Sequence, residues 1–211
     1  MTDNVALDTI RRFFTVATRG RTYANVTYVW LGFPLGIAYF VFLVTGFALS
    51  LGLSLLWIGL ILAVLFVICI KGLGQFERVL SKWLLGEAPS AGPRAETRGV
   101  WQWVTGVFKD ASTWKGALFL FLKFPLGIMT WIASVFTFTL AAAFIAAPFS
   151  EFRGEVDFGY WILQDPTGGW LMSAAGVLLL FATLHLHNAM GWLWRMMSRG
   201  LLSSGTMPQA A

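Results

Sequence analysis

Residues 23–70 read YANVTYVWLGFPLGIAYFVFLVTGFALSLGLSLLWIGLILAVLFVICI, 48 positions without one charged side chain. A membrane span takes ~20 apolar residues, so this run is too long for one helix and suits two joined by a tight turn. The break is expected near Ser50-Leu51-Gly52-Leu53-Ser54, giving spans over about 26–49 and about 53–70. Two further apolar runs follow: Leu118 to Ala147, interrupted only by Lys123, and Gly169 to Leu186. They predict spans over about 118–147 and about 169–187. The fold class read from the sequence is all-α integral membrane, with four transmembrane helices.

Composition points the same way. Of 211 residues, 57% are apolar, 16% aromatic and 12% charged, whereas soluble domains are about half apolar and about a quarter charged. Four spans and short connections use up the length, which excludes a soluble core such as a kinase, ATPase or deaminase domain. No GxxxxGK[ST], GxSxG or HExxH occurs, and Gly72-Leu73-Gly74 lacks the third glycine and the preceding strand of a dinucleotide loop. The chain is read as no enzyme. Its single Cys69 offers neither an internal disulfide nor a CxxC pair.

The net charge of +5 reports orientation and not nucleic acid. Thirteen of 15 basic residues precede the first span (Arg11, Arg12, Arg19, Arg21), lie between the second and third, or follow the fourth (Arg195, Arg199). Only Arg153 falls in the segment 148–168, beside Glu151, Glu155, Asp157 and Asp165. Lys and Arg are retained on the cytoplasmic side, so both termini and the middle loop are expected there, in the inner membrane of a prokaryote. Arg11-Arg12 opens no cleaved export signal, because two further arginines follow and no small-residue cleavage site appears. Residues 7–18 are instead expected to form an interfacial helix, with Ile10, Phe13, Phe14 and Ala17 on its apolar side. Residues 99–110 read the same way.

The sequence also repeats itself. Phe33-Pro34-Leu35-Gly36-Ile37 returns 91 positions later as Phe124-Pro125-Leu126-Gly127-Ile128, and Thr22-Tyr23 aligns with Thr113-Trp114. At an offset of 117, Gly74, Arg78, Ser81, Leu84 and Leu85 match Gly191, Arg195, Ser198, Leu201 and Leu202. The difference is a 26-residue insertion between the third and fourth spans. Two parallel units follow: 1–86, ending in an amphipathic helix over 72–86, and 99–203, ending in one over 189–203. Residues 87–98 are a linker and 204–211 a flexible tail.

The order Thr-aromatic, Leu-x-Phe-Pro-Leu-Gly-Ile, apolar hairpin, then Phe76-Glu77-Arg78-Val79-Leu80-Ser81-Lys82-Trp83-Leu84-Leu85-Gly86 resembles the four-span "putative sensor" domain family, over about Thr22 to Leu202. That resemblance implies a membrane input region, which in many actinobacterial and archaeal proteins stands ahead of a histidine kinase. No output domain follows here before Ala211, so signalling through a separate partner is the expectation. The alternative is a structural or accessory subunit of a larger respiratory or photosynthetic membrane complex.

Several residues stand out within this frame. Pro34 and Pro125 remove a backbone hydrogen bond inside their spans, and with Gly36 and Gly127 they form matched kinks that either shape the bundle or act as hinges. Gly32 and Gly36 form a small-xxx-small pair suited to close helix approach. Lys123, at the position of Gly32 in the first unit, is expected to snorkel to headgroups or to bind an anionic lipid or ligand, and Arg78 and Arg195 are further candidates for such contact. His185 and His187 lie about 200° apart on a helix and cannot share one ion. No cofactor is expected, although each histidine alone is a candidate pigment or haem ligand. Phe152, Asp157, Tyr160, Trp161 and Asp165 of the insertion are candidates for a partner surface or an interfacial cap. The expected partners are the bilayer and a protein in the membrane or at its cytoplasmic face. A reporter fused after Ala211 is expected to be active in the cytoplasm; an external location reverses the orientation.

Overall fold

The computed structural model describes residues 8, 11, 13–87, 89, 105–106, 108–149 and 166–203, and all that follows concerns these. They contain four long helices and no strand: α1, Gly20–Gly52; α2, Ile58–Leu80; α3, Ala111–Ala146; and α4, Pro166–Leu202. All four are long and apolar enough to cross a membrane. α2 is extended by a π-helical turn, Ser81–Leu85, closed by Gly86 in the left-handed region at φ 67°.

The turn between α1 and α2 comes slightly later than the sequence suggested. α1 runs through Ser50 to Gly52, and Ser54–Leu56 form a 3₁₀ turn before Trp57 at φ 60°. A Cβ on Gly59 would come within 2.3 Å of the Leu53 carbonyl carbon, so only glycine lets the first turn of α2 lie against this loop. α2 then passes Ile70, Lys71 and Gly72 without a break. Residues 72–86 therefore prolong the second span, where a separate amphipathic helix was expected. Residues 189–203 similarly continue α4 to Leu202. Asp110 caps α3: its carboxylate accepts from the Ser112 amide at 2.9 Å and from Lys71 at 3.0 Å. Partial burial opposes ionisation of Asp110, but these bonds from Ser112 and Lys71 hold its carboxyl below the usual range.

Of the two expected interfacial helices, the described residues of the first are Asp8, Arg11, Phe13 and Phe14, all helical, followed by a 3₁₀ turn, Thr15–Thr18. Phe13 and Phe14 pack on Phe181 of α4. Most of 99–110 lies outside the described residues, as do Phe152, Asp157, Tyr160, Trp161 and Asp165 of the insertion.

Burial runs opposite to that of a soluble protein. Large apolar side chains such as Phe47, Ile61, Leu65, Met129, Ile132 and Leu171 face outward, while Asn25, Glu77, Ser81, Lys123, Ser134, His187 and Ser198 are buried. The two proline-bearing helices, α1 and α3, cross at the centre, with α2 and α4 packed on them. At the crossing a Cβ on Gly36 would stand 2.7 Å from the Lys123 carbonyl oxygen, and one on Gly127 would stand 2.6 Å from that of Gly32. The residues exchanging these contacts are 91 positions apart, Gly36 with Gly127 and Gly32 with Lys123. The same spacing relates the stacks Phe33 on Trp131 (4.7 Å) and Phe40 on Phe124 (4.3 Å). It also relates two bonds of 2.8 Å, Tyr23 Oη to the Ala17 carbonyl and Trp114 Nε1 to that of Phe108.

This crossing sets a graded test. Gly36→Ala and Gly127→Ala should each lower the thermal midpoint in detergent, because rigid backbone stands where the methyl would go, whereas Gly32→Ala, whose Cβ meets nothing within 4 Å, should leave it near that of the parent.

Candidate functional site

The inward stripe of each helix can be read from its buried positions, spaced three and four apart. On α1 it includes Tyr28, Gly32, Gly36 and Tyr39; on α2, Val67, Ile70, Gly74 and Glu77, continuing to Ser81. On α3 it includes Phe119, Lys123, Gly127, Thr130 and Ser134, and on α4 Thr183, His187, Trp194 and Ser198. All four stripes meet at one ion pair.

Lys123 Nζ donates to both carboxylate oxygens of Glu77, at 2.7 and 2.6 Å, with both side chains fully buried. Two tyrosines of α1 complete the carboxylate's shell, Tyr39 Oη donating at 2.6 Å and Tyr28 Oη at 3.2 Å. The ammonium lies 4.6 Å from the ring centre of Tyr28, 5.8 Å from Tyr39, 5.9 Å from Phe119 and 5.8 Å from Trp194. A cation within ~6 Å of an aromatic face is attracted to it, more strongly when dry. Twelve residues separate Lys123 from the start of α3, so at 1.5 Å per residue the pair sits about 18 Å along that helix.

Burial of each ion costs several kcal/mol, and an apolar filling of similar volume is often as stable or more so. Fold stability alone does not account for the pair. The aligned positions in the other half, Gly32 and Trp194, carry no charge. Trp194 is buried, and its indole N–H has no hydrogen-bond partner among the described residues.

A second polar chain crosses α1, α3 and α4. Trp30 Nε1 donates to Ser134 Oγ at 2.8 Å, Ser134 meets His187 Nε2 at 2.7 Å, and His187 Nδ1 lies 2.8 Å from the Thr183 carbonyl. With Ser134 accepting from Trp30 and donating to Nε2, the pattern assigns the proton to Nδ1, which donates to Thr183.

Where α2 and α4 finish, they are tied together. Arg78, next to Glu77, donates from Nε to the Leu202 carbonyl at 2.7 Å, and Ser198 Oγ donates to Ser81 Oγ at 3.2 Å. Arg199 Nε donates to Glu87 at 2.7 Å, and those hydrogen bonds hold the Glu87 carboxyl below its ordinary range. Arg21 donates to the Leu85 carbonyl at 2.6 Å. Cationic donors thus meet the C-terminal carbonyls of both helices, where the helix dipole favours positive charge.

The family model described as "Putative sensor" matches residues 28–202. The chain belongs to this family. No curated protein and no solved structure matches it. As a sensor-family chain with four membrane-length apolar helices, it is a sensor-like, multi-pass membrane module in a lipid environment. The family match takes in every residue of the ion-pair site.

Within this sensor domain Lys123 departs from expectation. It does not reach for headgroups: its stem points into the bundle, where Glu77 gives the ammonium a partner. Arg78 is bound to a helix terminus and Arg195 Nη1 to Asn25 Oδ1 at 3.2 Å. Pro34, Gly32 and Gly36 lie in α1 and Pro125 and Gly127 in α3, around the crossing that carries Lys123. The helical rotation between the histidines separates them: His187 is interior, whereas exposed His185 stacks on Phe13 and bonds its carbonyl at 3.2 Å. Among the described residues no three His, Cys, Asp or Glu side chains gather as a metal site. Glu77, Tyr28, Tyr39, Phe119 and Trp194 were not singled out by the sequence. Glu77 is the only acid between Asp8 and Glu87, and its spacing from Val67, Ile70 and Gly74 marks it as inward-facing.

Removing one member of the pair leaves a buried charge, so Lys123→Met and Glu77→Gln should each cost about 3–5 kcal/mol. The double variant Lys123→Met/Glu77→Gln buries no charge and keeps an acceptor for the tyrosines. It should regain most of that loss in denaturant unfolding of the detergent-solubilised protein; additive losses contradict the pairing.

Proposed function

We propose that this sensor domain works as a signal-input device whose two-state element is the Lys123–Glu77 pair, and that it acts on a separate protein partner at the ends of α2 and α4. The observation that carries the reading is the meeting of side chains from all four helices on one buried ion pair. A cue that displaces Glu77 or Lys123 changes a term large enough to shift a balance between two helix arrangements, since each unpaired ion then needs new solvation. Arg78 follows Glu77 directly and holds the end of α4, so motion of Glu77 along or around α2 reaches both helix ends. Lys123 sits beside the proline-bearing stretch of α1: its carbonyl abuts Gly36, two residues beyond Pro34. The matching contacts about Gly32, Gly36, Lys123 and Gly127 support reading the two hairpins as a duplicated unit, with the charged pair as the place where the halves diverged.

The distribution of basic residues supports an orientation with both termini and the ends of α2 and α4 in the cytoplasm of a prokaryote, where the partner would be met. The role is one of binding and conformational change without catalysis.

Spin labels at Trp83 and Met196, both exposed, report the separation of the α2 and α4 ends once Cys69 is replaced. The parent in lipid nanodiscs should give one narrow distance, and Glu77→Gln a shifted or broadened one. An identical distribution in both removes the pair from any switching role. Isolation of the chain as a stoichiometric subunit of a large respiratory or photosynthetic assembly would favour the accessory role instead.

A further inference from the structure

The chemistry around the Lys123 ammonium is that of an ammonium receptor. Apart from Phe119, the groups that recognise it come from other helices: Tyr28 and Tyr39 from α1, Glu77 from α2 and Trp194 from α4. The Glu77 carboxylate also accepts from the two tyrosine hydroxyls, and Tyr28 Oη in turn accepts from Lys123 at 3.4 Å. Four aromatic rings and one fixed carboxylate, closed to water, form the constellation that selects an organic cation. Only a covalent tether distinguishes Lys123 from a bound alkylamine.

We infer that this core is a binding site for a primary alkylammonium, with the side chain of Lys123 as its built-in occupant. The inference rests on the sensor reading for its biological meaning, since it names the ligand class that competes with Lys123 for Glu77; its binding test does not. Truncation to alanine deletes Cγ, Cδ, Cε and Nζ, whose shape and charge are those of n-propylammonium. The carboxylate left in the cage then lacks a counter-ion.

The test titrates n-propylammonium chloride into the purified full-length Lys123→Ala variant in detergent. The expected result is a saturable upward shift of its thermal midpoint. 1-Propanol should give none, nor should n-propylammonium added to Lys123→Ala/Glu77→Gln or to Lys123→Met, whose side chain fills the space. No saturable shift in folded Lys123→Ala, or an equal shift in the Glu77→Gln background, overturns the inference. Should Lys123→Ala alone give no folded protein, the reading becomes the yield of monodisperse protein extracted with n-propylammonium against that with 1-propanol. A yield that requires the ammonium supports the site, and equal yields overturn it. The helix-end distances measured for the sensor reading are independent of these shifts, so failure of one is distinguishable from failure of the other.

Discussion

Lys123 and Glu77 meet at 2.6 Å where no water reaches, and the bundle is arranged around that contact. A carboxylate and an ammonium are stable in such a place only if each finds its partners without help from solvent. Two tyrosines of α1 serve the carboxylate and aromatic rings of three helices surround the ammonium, so moving any helix costs the pair some of its shell. Elsewhere lipid-facing leucines, isoleucines and phenylalanines make no comparable demand on register, since a hydrocarbon surface accepts them in any rotation.

The glycines explain how the pair comes to be central. With no side chain at Gly36 and Gly127, the α1 and α3 backbones approach to the distance at which each glycine faces the other helix's carbonyl. That approach brings Lys123 to the middle of the bundle. Pro34 and Pro125 fall two residues before those glycines, and, having no amide N–H, each removes one helical hydrogen bond close to the ion pair. Packing, backbone hydrogen bonding and charge therefore meet at one level of the bundle.

Much of the architecture was legible in the sequence because charge-free runs of span length have few alternatives in water or lipid. The ion pair was not, for a local reason. Lys71 ends the apolar run, and everything after it looked like surface; yet α2 continues, turning Lys71 to Asp110 and Glu77 to the interior. Lys123 lies near enough to the start of its apolar run that a reach for headgroups was the natural expectation. Its inward face, shared with Phe119, Gly127 and Ser134, decides otherwise. A charge within a span is best judged by the helical face it occupies and only then by its depth. The histidines teach the same lesson, with positions two apart assigned to an exposed stack on Phe13 and to the interior Trp30–Ser134–His187 chain.

The Lys123–Glu77 contact can be read directly by solid-state NMR on the chain in lipid. With ¹⁵Nζ-lysine and ¹³Cδ-glutamate labels, recoupling should show one strong nitrogen–carboxylate contact at the spacing of a direct ion pair, lost in both Lys123→Met and Glu77→Gln. A strong contact that persists in either variant, or none at all in the parent, would contradict the account.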